Sequence, residues 1–281
     1  METTGIKTLV CGIAKLENDY IREWVEHYKK IGFTNVVLYD NNDVDGERFE
    51  DVIGDYIEEG YVIVEDCRGK TCYQWPAYID CYNKYNADYD WFAFFDIDEF
   101  LELKKVDNIS EYLQQEKFDG FQCIYVNWKI YTDNGKIRYE KKPVQERFTK
   151  TMPYKKEIKY PFPENNHHKS FVRGRGCFET LVFERRYGSH TPSNATKCCN
   201  SVGNEVPMEF YTPYIYDEVI LKHYQTKSLE EWVTKKQVRR YPDSPPELNV
   251  YHPHLSLQMF FAINEMTKDK MKYLKKNVPG F

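Results

Sequence analysis

The feature that most constrains the fold is a run of five apolar residues at positions 91–95 that leads directly into acid. A run this short and this aromatic is typical of a buried strand rather than a helix. Asp96 and Asp98 follow it, and an extended backbone would project both carboxylates to the same side. Two like charges there need a cation or hydrogen-bond donors, and converging carboxylate oxygens suit Mg²⁺ or Mn²⁺. A polar strand end that faces water is the alternative, so the rest of the sequence must decide.

Strand and helix patterns alternate through the first hundred residues. Apolar runs predict strands at residues 8–14, 35–39 and 61–66, before the strand that leads to the acids. Apolar residues at helical spacing predict a helix capped by Asn18 and two more helices, over about 49–58 and 74–85. This alternation predicts an α/β fold with a parallel, doubly wound sheet.

Ligands in such sheets bind outside the carboxyl ends of the strands. Asp40, the loop 68–70 and the pair Asp96 and Asp98 all follow predicted strands at those ends. Their position favours a nucleotide site over a simple polar strand end.

The second half of the chain is less regular. A strand over residues 120–128 and an Asn-Gly turn at 134–135 are predicted, and residues 151–170 have the composition of a loop. Ser228 and Glu231 form a capping-box pattern at the start of a helix. We predict a domain of residues 1–240, divided into halves of residues 1–105 and 106–240, and a C-terminal helical extension (241–281).

The composition excludes several classes of protein. The net charge of −5 argues against a nucleic-acid-binding protein. Aromatic residues make up 16% of the chain, led by 24 tyrosines, a type of surface that suits sugars as well as ordinary packing. The sequence has no apolar stretch of about 20 residues, no signal-peptide pattern, and eight cysteines without a paired zinc-binding spacing. These features predict a cytoplasmic protein.

A set of short motifs, in this order along the chain, resembles the GT-A glycosyltransferases, specifically glycosyltransferase family 92 and the bacterial family-2-like group with a D-x-D motif. The motifs are IAKLENDYIREWVEHY (13–28), YDNN (39–42), FDIDEFL (95–101), NW (127–128), DNG (133–135), ERFT (146–149), HKSFVRG (168–174), HTP (190–192) and KHYQTKSLEEW (222–232). Two departures are Leu16, where Asn is common, and the swapped order of His27 and Tyr28.

The resemblance implies a Rossmann-like nucleotide-binding fold with a mixed central sheet and an irregular acceptor side. Residues 1–105 would form the nucleotide-sugar-binding half and residues 106–240 the acceptor-binding half. It also implies inverting transfer of a sugar, such as galactose, from a UDP-linked donor to a glycan acceptor in surface polysaccharide or lipopolysaccharide synthesis. The departing diphosphate develops negative charge, which a divalent ion would neutralise. The implied metal ligands are Asp96, Asp98 and His223, with His190 as the alternative to His223.

The resemblance also suggests roles for other residues. Asp133 is the predicted general base, with Glu179, Asp217 and Glu218 as alternatives. The predicted donor-binding residues are Ala14, Glu17, Asp40, Lys70, Gln74, Asp96 and Lys227. The predicted acceptor-binding residues are Trp128, Tyr131, Lys169 and Arg173.

Two other functions are compatible with a D-x-D motif. Haloacid-dehalogenase-like phosphatases also carry hydrophobic residues before this motif, but on their first strand and with Gly-Thr after it, whereas here Glu99 and Phe100 follow. A protein that binds nucleotide sugars or glycans without turnover is the other alternative. The basic C-terminal helix is a candidate for peripheral contact with the inner membrane.

Overall fold

The computed structural model describes residues 5–152, 166–209, 212–239, 253–279 and 281. The strands are β1 Thr8–Ala14, β2 Asn35–Asp40, β3 Val62–Asp66, β4 Trp91–Phe94, β5 Glu99–Leu103, β6 Cys123–Ile130, β7 His168–Arg173, β8 Cys198–Asn200, β9 Glu205–Val206 and β10 Val219–His223. The helices are α1 Asn18–Lys30, α2 Glu50–Glu58, α3 Gln74–Tyr85, α4 Ile109–Leu113, α5 Val144–Arg147, α6 Leu229–Glu231, α7 Gln237–Arg239, α8 Leu257–Ile263 and α9 Lys268–Asn277. A π-helical turn, Trp232–Lys236, joins α6 to α7.

The strands form a mixed sheet in the order β3-β2-β1-β4-β7-β6-β10-β5, with β8 paired to β6 and β9 paired to β8. The first four positions are parallel, as the strand–helix alternation predicted. β7 then runs antiparallel to both β4 and β6. β10 is parallel to β6 and antiparallel to β5. The predicted α/β class with a mixed central sheet is confirmed.

The first four strands and three helices lie within two residues of their predicted bounds. Every residue of β1 and β4 is buried, because helices cover both faces of a parallel sheet. Helix α1 buries Tyr20, Ile21, Trp24, Val25 and Tyr28 on one face. Asn18 begins α1 but does not cap it, since its side chain instead donates to the carbonyl of Arg48 at 2.9 Å.

Two local predictions are wrong. The backbone is not extended through the acidic motif: β4 ends at Phe94, and Asp96 to Asp98 form a turn closed by the Glu99 N–H and the Asp96 carbonyl at 2.9 Å. His168 and Lys169 do not lie in a loop but begin β7 in the middle of the sheet. The loop predicted over 151–170 otherwise lies mainly outside the described residues. Polar residues are tolerated in β7 because His168 stacks on Tyr125 and Lys169 pairs with acids.

The C-terminal extension shares the main hydrophobic core. Met259, Phe260 and Ile263 of α8 pack in the same cluster as the α1 face and β4, as do Tyr273 and Leu274 of α9. The described part of the predicted helical extension contains two main helices: α8 ends before Asn264, and Thr267 caps α9 through the Lys270 N–H. The domain boundaries remain a prediction. None of the helices in the described ranges has the length and apolar character needed to cross a bilayer.

Candidate active site

The turn after β4 places Asp96 above α3 and β7. The Asp96 carboxylate accepts a hydrogen bond from Gln74 Nε2 at 3.1 Å and lies 3.3 Å from Lys169 Nζ. Asp96 thus joins Gln74, as predicted for the donor side, and Lys169, which was predicted to bind the acceptor. Lys169 is only 1% exposed and lies against the acidic turn, so its role in acceptor binding remains a prediction.

Glu99 is a buried partner that sequence reasoning missed. Its carboxylate accepts the Asp96 N–H at 2.9 Å and lies 3.6 Å from Lys169 Nζ, with no exposure to solvent. Burial raises the pKa of Glu99 well above its usual value, although Lys169 opposes the shift. The position of Glu99 next to the D-x-D motif was the available signal. It fixes the shape of the turn that carries both aspartates.

Asp98 is 2% exposed and contacts two residues that lie more than 120 positions later in the chain. His223 at the end of β10 places Nε2 3.4 Å from Asp98 Oδ1, and Lys236 Nζ lies 3.1 Å from Oδ2. Burial alone would raise the pKa of Asp98, but Lys236 and His223 hold it well below its usual value. Asp98 is therefore an anion that faces the imidazole of His223 and the ammonium group of Lys236. The structure brings together Asp98 and His223. His190, the alternative to His223 as a metal ligand, instead forms a hydrogen bond with the carbonyl of His168.

The residues around Asp98 fit a divalent ion that takes further ligands from a substrate. Within the described residues, no three His, Cys, Asp or Glu side chains converge as a complete metal site. Two ligands about 2.1 Å from one octahedral ion lie about 3 Å apart, close to the separation of the Asp98 and His223 atoms. Mg²⁺ is commonly held by one or two carboxylates together with substrate phosphates and water. The buried Nδ1 of His223 has no partner among the described residues.

Glu17 and Lys227 form a second buried pair at the end of β1. Lys227 Nζ lies 3.3 Å from Glu17 Oε2 and 3.9 Å from the centre of the Tyr20 ring. Burial lowers the pKa of Lys227 to about 8, although Asp98 opposes the shift. Both residues were predicted on the donor side, and the structure brings them to the same cavity beside Leu16.

Leu16 adopts a backbone conformation that leucine disfavours. Its φ is 58°, in the left-handed region, and its N–H donates to Asn42 Oδ1 at 2.9 Å. Asn enters this region several times more readily than a residue such as leucine. The departure noted in the sequence, Leu for the common Asn, therefore carries a backbone cost.

Replacing Leu16 with Asn should stabilise the fold by about 1 kcal/mol, because the left-handed conformation costs roughly 1–2 kcal/mol for most side chains. Urea denaturation of the wild type and Leu16→Asn measures the difference. Leu16→Ala is the control, since it shortens the side chain without relieving the backbone. Equal or lower stability of Leu16→Asn than of Leu16→Ala would contradict the backbone explanation.

Three other donor-side predictions lie at the ends of β1 to β3. Ala14 pairs with Asp40 in the sheet register, and Asp40 is 2% exposed. Asp40 Oδ1 accepts hydrogen bonds from the Asn42 backbone N–H at 3.0 Å and side-chain amide at 2.8 Å, and burial raises its pKa. Lys70 is exposed and lies over the Tyr73 ring at 4.4 Å. These residues share one edge of the sheet, as predicted.

Trp128 and Tyr131 lie beside the metal-binding candidate His223. The Trp128 ring centre is 4.3 Å from that of His223 and 5.0 Å from that of His190. Trp128 is 8% exposed, and its Nε1 has no partner in the described residues. Tyr131 packs against Tyr224 with ring centres 4.7 Å apart. An aromatic wall therefore adjoins the Asp98–His223 pair.

The structure does not bring Asp133 or Arg173 to this site. Asp133 is 2% exposed, accepts the Gly135 N–H at 2.8 Å, and forms an ion pair with the fully buried Lys270 of α9. Arg173 pairs in register with Trp91, at the end of β4 opposite to the acidic turn. It donates to the carbonyls of Phe121 and Phe118 at 2.6 and 2.8 Å. Of the alternatives to Asp133, Glu218 pairs with Lys117, and Glu179 and Asp217 are exposed.

The sequence matches the family model for glycosyltransferase family 92 over residues 8–249. It is 26% identical over 239 residues to galactan β-1,4-galactosyltransferase GALS3 of Arabidopsis thaliana, covering 75% of this chain and 47% of that protein. It is 30% identical over 189 residues to GALS2 of the same plant, covering 62% and 35%. The chain thus spans about half or less of the curated relatives that it matches.

Solved structures with some similarity include TarS 1–349 from S. aureus. That structure has a TM-score of 0.42 and 12% identity, covering 96% of this chain and 78% of that one. A similarity at this level adds nothing to the sheet order described above.

Proposed function

Because the chain belongs to glycosyltransferase family 92, we propose that it is a metal-dependent enzyme that transfers a sugar from a nucleotide diphosphate donor to a glycan. The relatives are named galactan galactosyltransferases, which supports galactose as the sugar and a polysaccharide as the acceptor. UDP-galactose is therefore the first donor to test. The D-x-D motif, the GT-A type of donor site and inversion at the sugar carbon belong to the same proposal.

The observation that supports this proposal most directly is the pairing of Asp98 with His223. The two side chains come from residues 125 positions apart and lie 3.4 Å from each other. They occupy the edge where ligands bind in parallel sheets. Fold stability alone does not account for this buried pair, because two apolar side chains of similar volume are often at least as stable in a core.

Each group around this pair has a defined task in the proposed reaction. A bound Mn²⁺ or Mg²⁺ would supply Lewis-acid stabilisation of the leaving diphosphate, held by Asp98 and His223 with Asp96 close by. Lys169 and Glu99 hold the acidic turn in one shape, which avoids reorganisation during the reaction. Trp128 would contact a sugar ring from the side of His223. The ion pair of Asp133 with Lys270 supports a structural role for that aspartate, so we assign no general base.

A thermal-shift screen of nucleotide sugars with and without Mn²⁺ tests the donor, followed by transfer of labelled galactose to β-1,4-galactan oligosaccharides. We expect a shift for UDP-galactose that requires the metal. Nucleotide-sugar binding without turnover on any glycan would favour the non-catalytic alternative. Release of phosphate from simple phosphate esters, without sugar transfer, would favour the phosphatase alternative.

We also propose that α9 contacts an anionic membrane surface. The helix and the residues before it form an open groove of about 700 Å³, whose lining includes Met266, Met271, Lys268, Lys272, Lys275 and Lys276. Lysines near an anionic surface contribute about 1 kcal/mol each. On sedimentation with vesicles of phosphatidylglycerol, the wild type should appear in the vesicle pellet. Most of a variant with Lys268, Lys272, Lys275 and Lys276 changed to Gln should stay in the supernatant. Equal sedimentation of both proteins would contradict membrane contact.

A further inference from the structure

Residues 229–239 place two cations on the carboxylates of the proposed donor site. We call this stretch, made of α6, the π-helical turn and α7, the basic segment. Lys236 Nζ lies 3.1 Å from Asp98 Oδ2, and Arg239 pairs with Glu17 and lies 3.8 Å from the same Asp98 oxygen. Neither cation was identified from the sequence. The two cations therefore neutralise Asp98, a proposed metal ligand, and Glu17, which was predicted to bind the donor.

The basic segment fills the space next to these acids. The cavity between the segment and the end of β1 measures about 20 Å³ and is lined by Glu17, Lys227, Lys236 and Arg239, among others. A volume of this size holds about one water molecule. A diphosphate would therefore fit next to these acids only if the segment moved away from them.

The segment is built in a way that permits such a movement. Its middle is a π-helical turn, a rare form that is common at functional sites. One side is anchored by Trp232, which is 1% exposed and packs on Phe260. Lys236 and Arg239 keep about a fifth of their side-chain surface exposed (22% and 20%). An anchored turn with partly exposed ends can shift without loss of the core.

We propose that Lys236 and Arg239 are exchangeable counter-ions, which pair with Asp98 and Glu17 in the empty site and move to the donor diphosphate when the divalent ion binds. This inference rests on the proposed function. It assigns diphosphate binding to two residues of the basic segment and makes metal binding compete with an internal lysine.

The competition follows from the shared carboxylate, since His223 faces Asp98 Oδ1 and Lys236 faces Oδ2. Lys236 occupies Asp98 Oδ2, and a dication on the same carboxylate would repel the ammonium strongly at a separation of a few ångströms. A diphosphate supplies new negative charge at that point, so the displaced Lys236 and Arg239 keep a partner. The exchange also avoids leaving Asp98 and Glu17 buried without a counter-ion in either state.

The test measures Mn²⁺ binding without nucleotide, and UDP binding at saturating Mn²⁺, by calorimetry or by electron paramagnetic resonance of the free ion. Lys236→Gln should bind Mn²⁺ alone about tenfold more tightly than the wild type and bind UDP about tenfold more weakly. Tighter Mn²⁺ binding together with weaker UDP binding is expected only if Lys236 pairs with Asp98 in the empty site and with the diphosphate in the occupied site. A merely structural lysine would weaken both affinities or neither.

Lys235→Gln is the matched control, because Lys235 is the neighbouring residue and pairs with Asp19 rather than with Asp98. We expect it to leave both affinities within about twofold of the wild type. Lys236→Arg keeps the charge and should restore both wild-type affinities. Changes of the same sign in Lys236→Gln, or no change, would overturn the exchange. Failure of the wild type to bind Mn²⁺ or UDP at all would instead overturn the proposed function.

Discussion

Replacing Asp98 with alanine is expected to reduce sugar transfer on the order of a thousandfold and to abolish the metal-dependent thermal shift with the donor. The change removes the carboxylate that pairs with His223 and the charge that anchors a divalent ion. Loss of one preorganised electrostatic group at a reacting centre typically costs 10²–10³-fold in rate. The measurement compares initial rates of labelled-sugar transfer and melting temperatures with and without Mn²⁺.

The fold should survive this change, because the cations left behind, Lys236 and Arg239, are 22% and 20% exposed and can be hydrated. Asp119→Ala is a suitable control: Asp119 is exposed and precedes β6, at the opposite edge of the sheet from the acidic turn. It should behave as the wild type in both assays. Full transferase activity in Asp98→Ala, with its dependence on metal intact, would rule out the role assigned to this residue.

The parallel half of the fold could be predicted because its signals are local. The aromatic run before Asp96, the helical spacing after Asn18 and the apolar strand runs each reflect burial on a fixed period. The edge of the sheet that carries Asp40, Glu17 and Asp98 followed from the rule that ligands bind at carboxyl ends. His223 was also placed correctly near Asp98, although only through the resemblance.

The remainder depends on pairings between distant residues, which a single sequence does not display. β7 begins with His168 and Lys169, and these look solvent-exposed until Asp96 and Glu99 are known to lie beside Lys169. Asp133 looked like an available base because Lys270, 137 residues later, was not known to cover it. Lys236 and Arg239 were not singled out, because their partners Asp98 and Glu17 lie more than 130 residues earlier in the chain. The environment of a polar residue was therefore hard to predict where its partner lies in a distant part of the chain.

Replacing Arg147 with methionine is expected to have the largest effect on stability, about 3–5 kcal/mol, because it leaves Glu231 buried without its counter-ion. Arg147 is 1% exposed at its side chain and donates two hydrogen bonds to Glu231, at 2.8 and 3.0 Å. The free energy of unfolding from urea titrations measures the loss. Arg138→Met removes the adjacent but exposed pair with Glu230 and should cost less than about 1 kcal/mol.

The pH dependence identifies the unpaired charge as the cause. In the wild type, burial alone would raise the pKa of Glu231, but Arg147 holds it below its usual value. The pair therefore stabilises the fold above the unfolded pKa of about 4.3 and loses this effect as the pH falls. In Arg147→Met, only the hydrogen bonds from Ser228 and Tyr20 oppose the effect of burial on Glu231. The pKa of Glu231 should therefore rise, so the deficit should be largest at pH 7 and shrink towards pH 4.

The double variant Arg147→Met, Glu231→Leu removes both charges and should recover most of the lost stability. A deficit that is independent of pH and unchanged in the double variant would mean that Arg147 acts through packing alone. The pair also matters for the site, because Glu231 closes the capping box with Ser228 at the start of the basic segment. If the segment carries exchangeable counter-ions, Arg147→Met should weaken UDP binding as well, and Arg138→Met should not.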